Sequence, residues 1–246
     1  MSQRGIEQNR VLPKTSWTLI SAARGQGEIS SKALNEFSRR YYQPIRSYIS
    51  ALCPDGEAAA DLTQGFFTDI VVSGRLLQGA DQSLSFRPYL KQSLRNYVIS
   101  EQRKRAAQKR IPDWALERPD DEPRGWDRFD LRTKAEAEIR FHTSWVRELL
   151  KEGMERFEKL CRSKGQAQHF DLFTRHYLNP SGAASSWKEL GDEFGLDQKV
   201  ARSRAQTAAR HFGDVILAVL EEELGSPEEA RKELQTMIDL LVKMYA

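Results

Sequence analysis

Long hydrophobic runs are missing from this 246-residue chain: the longest, Val215 to Leu220, has six residues. A membrane-spanning helix needs about 20, so none is expected. Nothing apolar stands behind Met1-Ser2-Gln3-Arg4 to act as an export signal, and a cytoplasmic location is the expectation. Cysteine is scarce too. Cys53 and Cys161 lie 108 residues apart, which argues against a disulfide framework and suits two reduced thiols. Of the four histidines, His169 and His176 share a helix face within reach of Asp171 or Cys161, but no zinc-ligand spacing occurs. They read as structural. The chain lacks a glycine-rich phosphate loop and a G-x-S-x-G elbow, and the Asp120-Asp121 pair falls in a polar stretch without a pocket. Neither an enzyme, a metal nor a cofactor is expected.

Aromatic residues are plentiful enough for real cores: 11 Phe, 7 Tyr and 5 Trp argue against a disordered polymer. The formal net charge of +3 conceals segregation. From Arg87 to Arg110 the net is +7, and from Ile111 to Asp130 it is −4, with Pro112, Pro119 and Pro123 spread through the acidic stretch. Leu196 to Phe212 carries +3 and Gly213 to Ala246 carries −5. Prolines and acids without apolar periodicity describe a linker, because such a segment buries too little surface to offset ordering. The expected organisation is a module over 1–110, a linker over 111–131 and a second module over 132–246.

Both modules read as all-α, since apolar residues recur at three and four and no two-residue alternation appears. Phe37, Tyr41, Ile45, Tyr48 or Ile49, and Leu52 form one stripe, broken by Pro54-Asp55-Gly56. A helix over 57–72 should turn Leu62, Phe66 and Ile70 inward, and another starts near Ser85. Phe141, Trp145, Leu149, Phe157 and Leu160 mark a long helix ending at Ser163-Lys164-Gly165. Phe170, Phe173, Tyr177 and Leu178 define the next. In the tail, Leu234, Ile238 and Leu241 should pack on their own domain.

The stretch from Ser185 to Leu220 is the most informative. Ser186-Trp187-Lys188-Glu189 is a capping box, and Trp187, Leu190 and Phe194 should face inward. Gly195 is placed for a left-handed turn, and Asp197 caps a second helix. That helix turns Ala201, Ala205, Ala208, Phe212 and Val215 inward and presents Lys199, Arg202, Ser203, Gln206 and Arg210 outward. This is the pattern of a helix-turn-helix whose second helix enters a major groove, where Arg pairs with guanine and Gln with adenine. An ordinary helical hairpin with a solvated basic face has the same pattern. The other basic run, with Arg87, Lys91, Arg95, Arg103, Lys104, Arg105, Lys109 and Arg110, fits a solvated face or a nucleic-acid patch. Tyr89, Asn96 and Tyr97 lie beside it, and aromatics there can stack on unpaired bases.

At several places the chain resembles the extracytoplasmic-function sigma factors, the two-domain promoter-recognition subunits of bacterial RNA polymerase. Asp61-Leu62-Thr63-Gln64-Gly65-Phe66-Phe67 is similar to the family's D-L-x-Q-E-x-F core-binding helix. Phe86-Arg87-Pro88-Tyr89-Leu90 with Ser93-Leu94-Arg95-Asn96 is similar to its F-R-x-[WY]-L…A-x-N segment. Ala201-Arg202-Ser203-Arg204 is similar to the V-[KR]-x-R core of its recognition helix, and Thr15 to Ile20 with the 228–241 tail resembles one branch of the family. The resemblance implies that Asp61, Gln64 and Phe67 bind core polymerase. It implies that Asn96, in a loop, captures a flipped base of the −10 element, with Arg87, Arg95, Arg103, Lys104 and Arg105 holding that DNA. Lys199, Arg202, Ser203, Gln206 and Arg210 would bind the duplex −35 element. An anti-sigma protein is the implied inhibitory partner. Gly65 departs from the family's Glu, and Thr207 and Ala209 stand where Arg is common. The rival expectation is a free-standing helix-turn-helix regulator that acts without polymerase.

Overall fold

Burial of aromatic stripes on long helices organises the chain, and every regular element among the described residues is helical. The structure, a computed structural model, describes residues 16–25, 27–78, 80–82, 85–108, 131–178 and 186–245. The expected linker, apart from Leu131, lies outside the described residues, as do Thr15, Lys109 and Arg110. The all-α expectation holds. The chain divides into two units, Met1–Val146 and Arg147–Ala246.

In the first unit, α1 (Ser16–Ala23) buries Leu19 and Ile20 and bonds its Ser16 hydroxyl to that of Tyr41, 3.0 Å away. Helix α2 (Glu28–Leu52) buries the expected stripe of Phe37, Tyr41, Ile45, Tyr48, Ile49 and Leu52. Asp55 then starts α3 (Gly56–Phe66), its carboxylate accepting from the amides of Glu57 and Ala58 at 3.0 and 3.2 Å. At Phe67 the helix loosens into a π-helical turn, Phe67–Val72. The extra residue per turn advances the inward face, so Val71 is buried while Ile70, expected inward, is only half-buried. A short 3-10 turn (Arg75–Leu77) leads on to α4 (Phe86–Gln108), which buries Phe86, Leu90, Leu94, Val98 and Ile99. Phe86 meets Tyr41 and Trp17 at ring-centroid distances of 5.3 and 4.9 Å.

Helix α5 (Leu131–Ser163) belongs to both units. The division between the two units falls within it at 146/147. Its first half packs Phe141 on Tyr48 of α2, rings 6.2 Å apart.

In the second unit α5 continues with Phe157 and Cys161 buried, followed by α6 (Ala167–Tyr177), α7 (Trp187–Phe194), α8 (Gln198–Leu224) and α9 (Pro227–Tyr245). Phe157, Phe173 and Phe212 bring α5, α6 and α8 together at 5.2–5.6 Å. Arg156 of α5 joins Glu152 at 2.5 Å and Glu222 of α8 at 2.9 Å. Helix α9 buries Ala230 and Met237 with Leu234 half-buried. Ile238 is exposed, one position out of phase with that face, which corrects the expectation for it; the Leu241 side chain lies outside the described residues.

Candidate nucleic-acid interface

Helix α7 begins with a complete capping box: Ser186 accepts from the Glu189 amide at 3.2 Å, and its own amide donates to Glu189 Oε2 at 2.9 Å. The Ser186 bonds hold the Glu189 carboxyl below its usual range. Gly195 ends the helix with φ +65°, a conformation that costs L-residues about 1 kcal/mol or more. The Leu196 amide reaches back to the Gly191 carbonyl at 2.8 Å. Gly191 is itself buried, and a Cβ there would stand 2.7 Å from the Leu196 carbonyl oxygen. Asp197 then caps α8, accepting from the Lys199 amide at 2.8 Å.

Packing fixes which side of α8 looks outward. Leu172 of α6, Leu190 of α7, and Ala201 and Ala205 of α8 form one buried cluster, flanked by Trp187, Phe194 and Leu196. Ala208 joins a second cluster with Phe157, Cys161 and Phe173, against which Phe212 and Val215 pack. Lys199, Arg202, Ser203, Gln206 and Arg210 are all exposed. Spacings of three and four put them on one stripe, about 16 Å long at 1.5 Å per residue. Among the described residues Lys199, Arg202 and Arg210 form no ion pair; Arg210 bonds only the Thr207 hydroxyl, at 3.3 Å. Neighbouring cations are engaged, Arg175 with Glu193 at 2.7 Å and Arg204 with Gln168. Val200, not singled out from the sequence, is 41% exposed at the edge of the stripe.

The basic run on α4 is divided between two surroundings. Arg103, Lys104 and Arg105 are exposed, Lys104 pairing with Glu101 at 2.6 Å and Arg105 standing 4.0 Å from Asp61. Arg87, Lys91 and Arg95 are half-buried. The Arg87 guanidinium lies 3.9 Å from the Trp145 ring centroid, and Lys91 pairs with Glu138. Burial, with Glu138 adding to it and Arg95 opposing, pushes the Tyr48 hydroxyl up to about 12. Of the six expected −10 residues, Arg87 thus meets the first half of α5, Arg95 is half-buried close by, and Lys91, outside that set, shares the contact.

Asn96 corrects an expectation: it lies in the middle of α4, not in a loop, and its Oδ1 accepts from Gln92 Nε2 at 2.9 Å. The aromatics beside the run are occupied as well. Tyr89 donates to the Leu76 carbonyl at 2.7 Å, and Tyr97 sets its ring edge-on to Phe66 at 5.5 Å. Burial first, then Glu101 and Asp69, push the Tyr97 hydroxyl up to about 12.

Asp61 and Gln64 are exposed on α3, as their i, i+3 spacing predicts. Phe67 is half-buried, its ring 5.5 Å from that of Tyr42. Tyr42 is 41% exposed and borders the same surface. His176 stacks on Trp187 with centroids 3.7 Å apart. The His169 imidazole is held below its ordinary value by burial, with Arg204 and His211 nearby. No cluster of metal-ligating side chains occurs among the described residues, and no helix there is long and apolar enough to cross a membrane.

No family model, curated protein or solved structure matches the chain. Functional inference therefore rests on the geometry. Three contributors escaped the sequence: Gly191, Trp145 and Glu138. Gly191 sits inside a helix, where only its contact with the Leu196 carbonyl explains it. Trp145 and Glu138 are far in sequence from the cations they meet, and only the i+7 spacing of the two hinted at a shared face.

Proposed function

We propose that the chain is a sigma-type promoter-recognition subunit that binds core RNA polymerase and directs initiation of transcription. The observation that carries this reading is the stripe of Lys199, Arg202, Ser203, Gln206 and Arg210 on α8, exposed and, among the described residues, without ion pairs, while neighbouring Arg175 is paired with Glu193 and Arg204 bonds Gln168. Folded helices tend to compensate exposed charge, so an uncompensated cationic stripe bearing an amide and a hydroxyl suits a polyanion with readable edges. A major groove about 12 Å wide admits one such helix. In the −35 duplex Arg202 and Gln206 would take base edges, Lys199 and Arg210 phosphates, and Val200 a thymine methyl. The α7 turn with its capping box would act as the brace that presents α8, making the pair a helix-turn-helix.

Arg103, Lys104 and Arg105 would hold the −10 strand, and Asp61 and Gln64 would offer a carboxylate and an amide to the polymerase. The chain then works where the polymerase works, in the cytoplasm. It performs no bond chemistry: promoter opening would draw on binding energy given to the separated strand.

Run-off transcription with bacterial core polymerase on genomic fragments tests the reading. Initiation that depends on the added chain is expected, and it identifies the promoter. Arg202→Glu should abolish promoter choice while core co-elution persists. Duplex binding without core binding would instead identify a free-standing regulator.

A further inference from the structure

We infer that the first half of α5 is an internal cap that covers the cationic face of α4 and must leave before that face takes a nucleic-acid strand. This rests on the reading of α4 as a nucleic-acid surface. Arg87, Lys91 and Arg95 follow one another at four-residue intervals and so form one stripe. All three are half-buried, whereas Arg103, Lys104 and Arg105 further along the helix are exposed. What covers the stripe has a nucleotide's own chemistry. The Trp145 indole offers a planar aromatic face to the Arg87 guanidinium at 3.9 Å, as a base would. Glu138 offers an anion to Lys91, as a phosphate would. Two helical turns separate these groups, about 10 Å along α5. Phe141 stands between them, its ring 5.9 Å from Lys91 Nζ and packed on Tyr48.

The same segment meets the solvent with Ile139, which is 65% exposed, and with the exposed Glu136–Arg140 pair. The cap thus meets Lys91 with a carboxylate and Arg87 with a ring. A strand brings a phosphate for every cation and releases counterions, so it competes better as salt falls.

The test uses the full chain, a fluorescent single-stranded deoxyoligonucleotide and anisotropy across a potassium chloride series. Glu138→Gln/Trp145→Leu should bind roughly tenfold more tightly, since one cation–π contact and one ion pair no longer compete. Three additional phosphates should steepen the plot of log K against log salt by up to about 2. Restoring the wild-type slope by adding Arg87→Gln, Lys91→Gln and Arg95→Gln would confirm that these cations make the difference. Glu136→Gln changes net charge equally and should leave affinity and slope unchanged. Should the double variant lose its helical circular dichroism, Glu138→Gln alone is expected to give about a threefold gain with the same change of slope. Equal affinity and slope in wild type and folded released variants would overturn the cap while leaving α4 a nucleic-acid surface. No binding by any of them would overturn that surface, and the cap with it.

Discussion

Gly65 shows how one missing methyl can be a structural requirement. It lies inside α3, where Gly is about 1 kcal/mol worse than Ala. A Cβ there would stand 2.3 Å from the Tyr97 hydroxyl oxygen, so the glycine makes room for a tyrosine that crosses from α4. The glycine that stands where the motif this segment resembles carries Glu thereby gains a local physical reason. Gly65→Ala should lower stability by about 1 kcal/mol, because displacing Tyr97 costs more than the helix gains. In a Tyr97→Phe background the same change should raise stability by about 1 kcal/mol, and a double-mutant cycle in urea measures the coupling. Tyr97 and Tyr48 also set an alkaline limit. Their folded-state values are raised from 10 to about 12, so the folded chain holds these protons more tightly than the unfolded one. Their contribution to stability is complete below pH 10 and is lost as pH rises through about 12. Urea midpoints should fall across that window, less steeply in Tyr48→Phe and Tyr97→Phe, with tyrosinate absorbance reporting the ionisation.

At the scale of elements, the α7 turn before α8 depends on a backbone approach as well as on caps. Gly191→Ala places a methyl against the Leu196 carbonyl, which is backbone and yields little. A loss of about 2 kcal/mol is expected, against about 1 for Ser186→Ala at the cap. Thermal melts of the two variants should rank them in that order, and Gly191→Ala should also weaken duplex DNA binding by displacing α8. Ser186, Gly195 and Asp197 were legible in the sequence because capping and left-handed turns act over three or four residues. So was the inward run of alanines on α8, since helical spacing alone sets the face. Gly191 was not legible, as its neighbour is created by the turn itself. The π-helical turn hid for a related reason: counting by four carries Ile70 inward, and only the inserted residue transfers that place to Val71.

For the whole molecule, charge along the chain and contacts across it draw different boundaries. Acid and proline mark where the sequence buries little, which suggested a division within 111–131. The units divide at 146/147 because Phe141 and Trp145 lie beyond that polar stretch yet pack with α2 and α4. The same contacts explain why the surroundings of the expected −10 residues were only partly legible. A run of cations reads alike whether solvent or another helix faces it, and here Arg103 to Arg105 face solvent while Arg87 and Lys91 face α5. Two fragments separate these views. A fragment of residues 1–146 retains the Tyr48–Phe141 and Arg87–Trp145 contacts, whereas one of residues 1–110 loses both. The shorter fragment should be less stable by about 2 kcal/mol in urea, roughly the value of one buried aromatic and one cation–π contact after ordering costs. It should nevertheless bind single-stranded DNA more tightly, with the steeper salt dependence of a stripe left open. Stability and affinity moving in opposite directions would separate a covering helix from a merely supporting one, because a helix that only stabilised α4 would weaken both when removed.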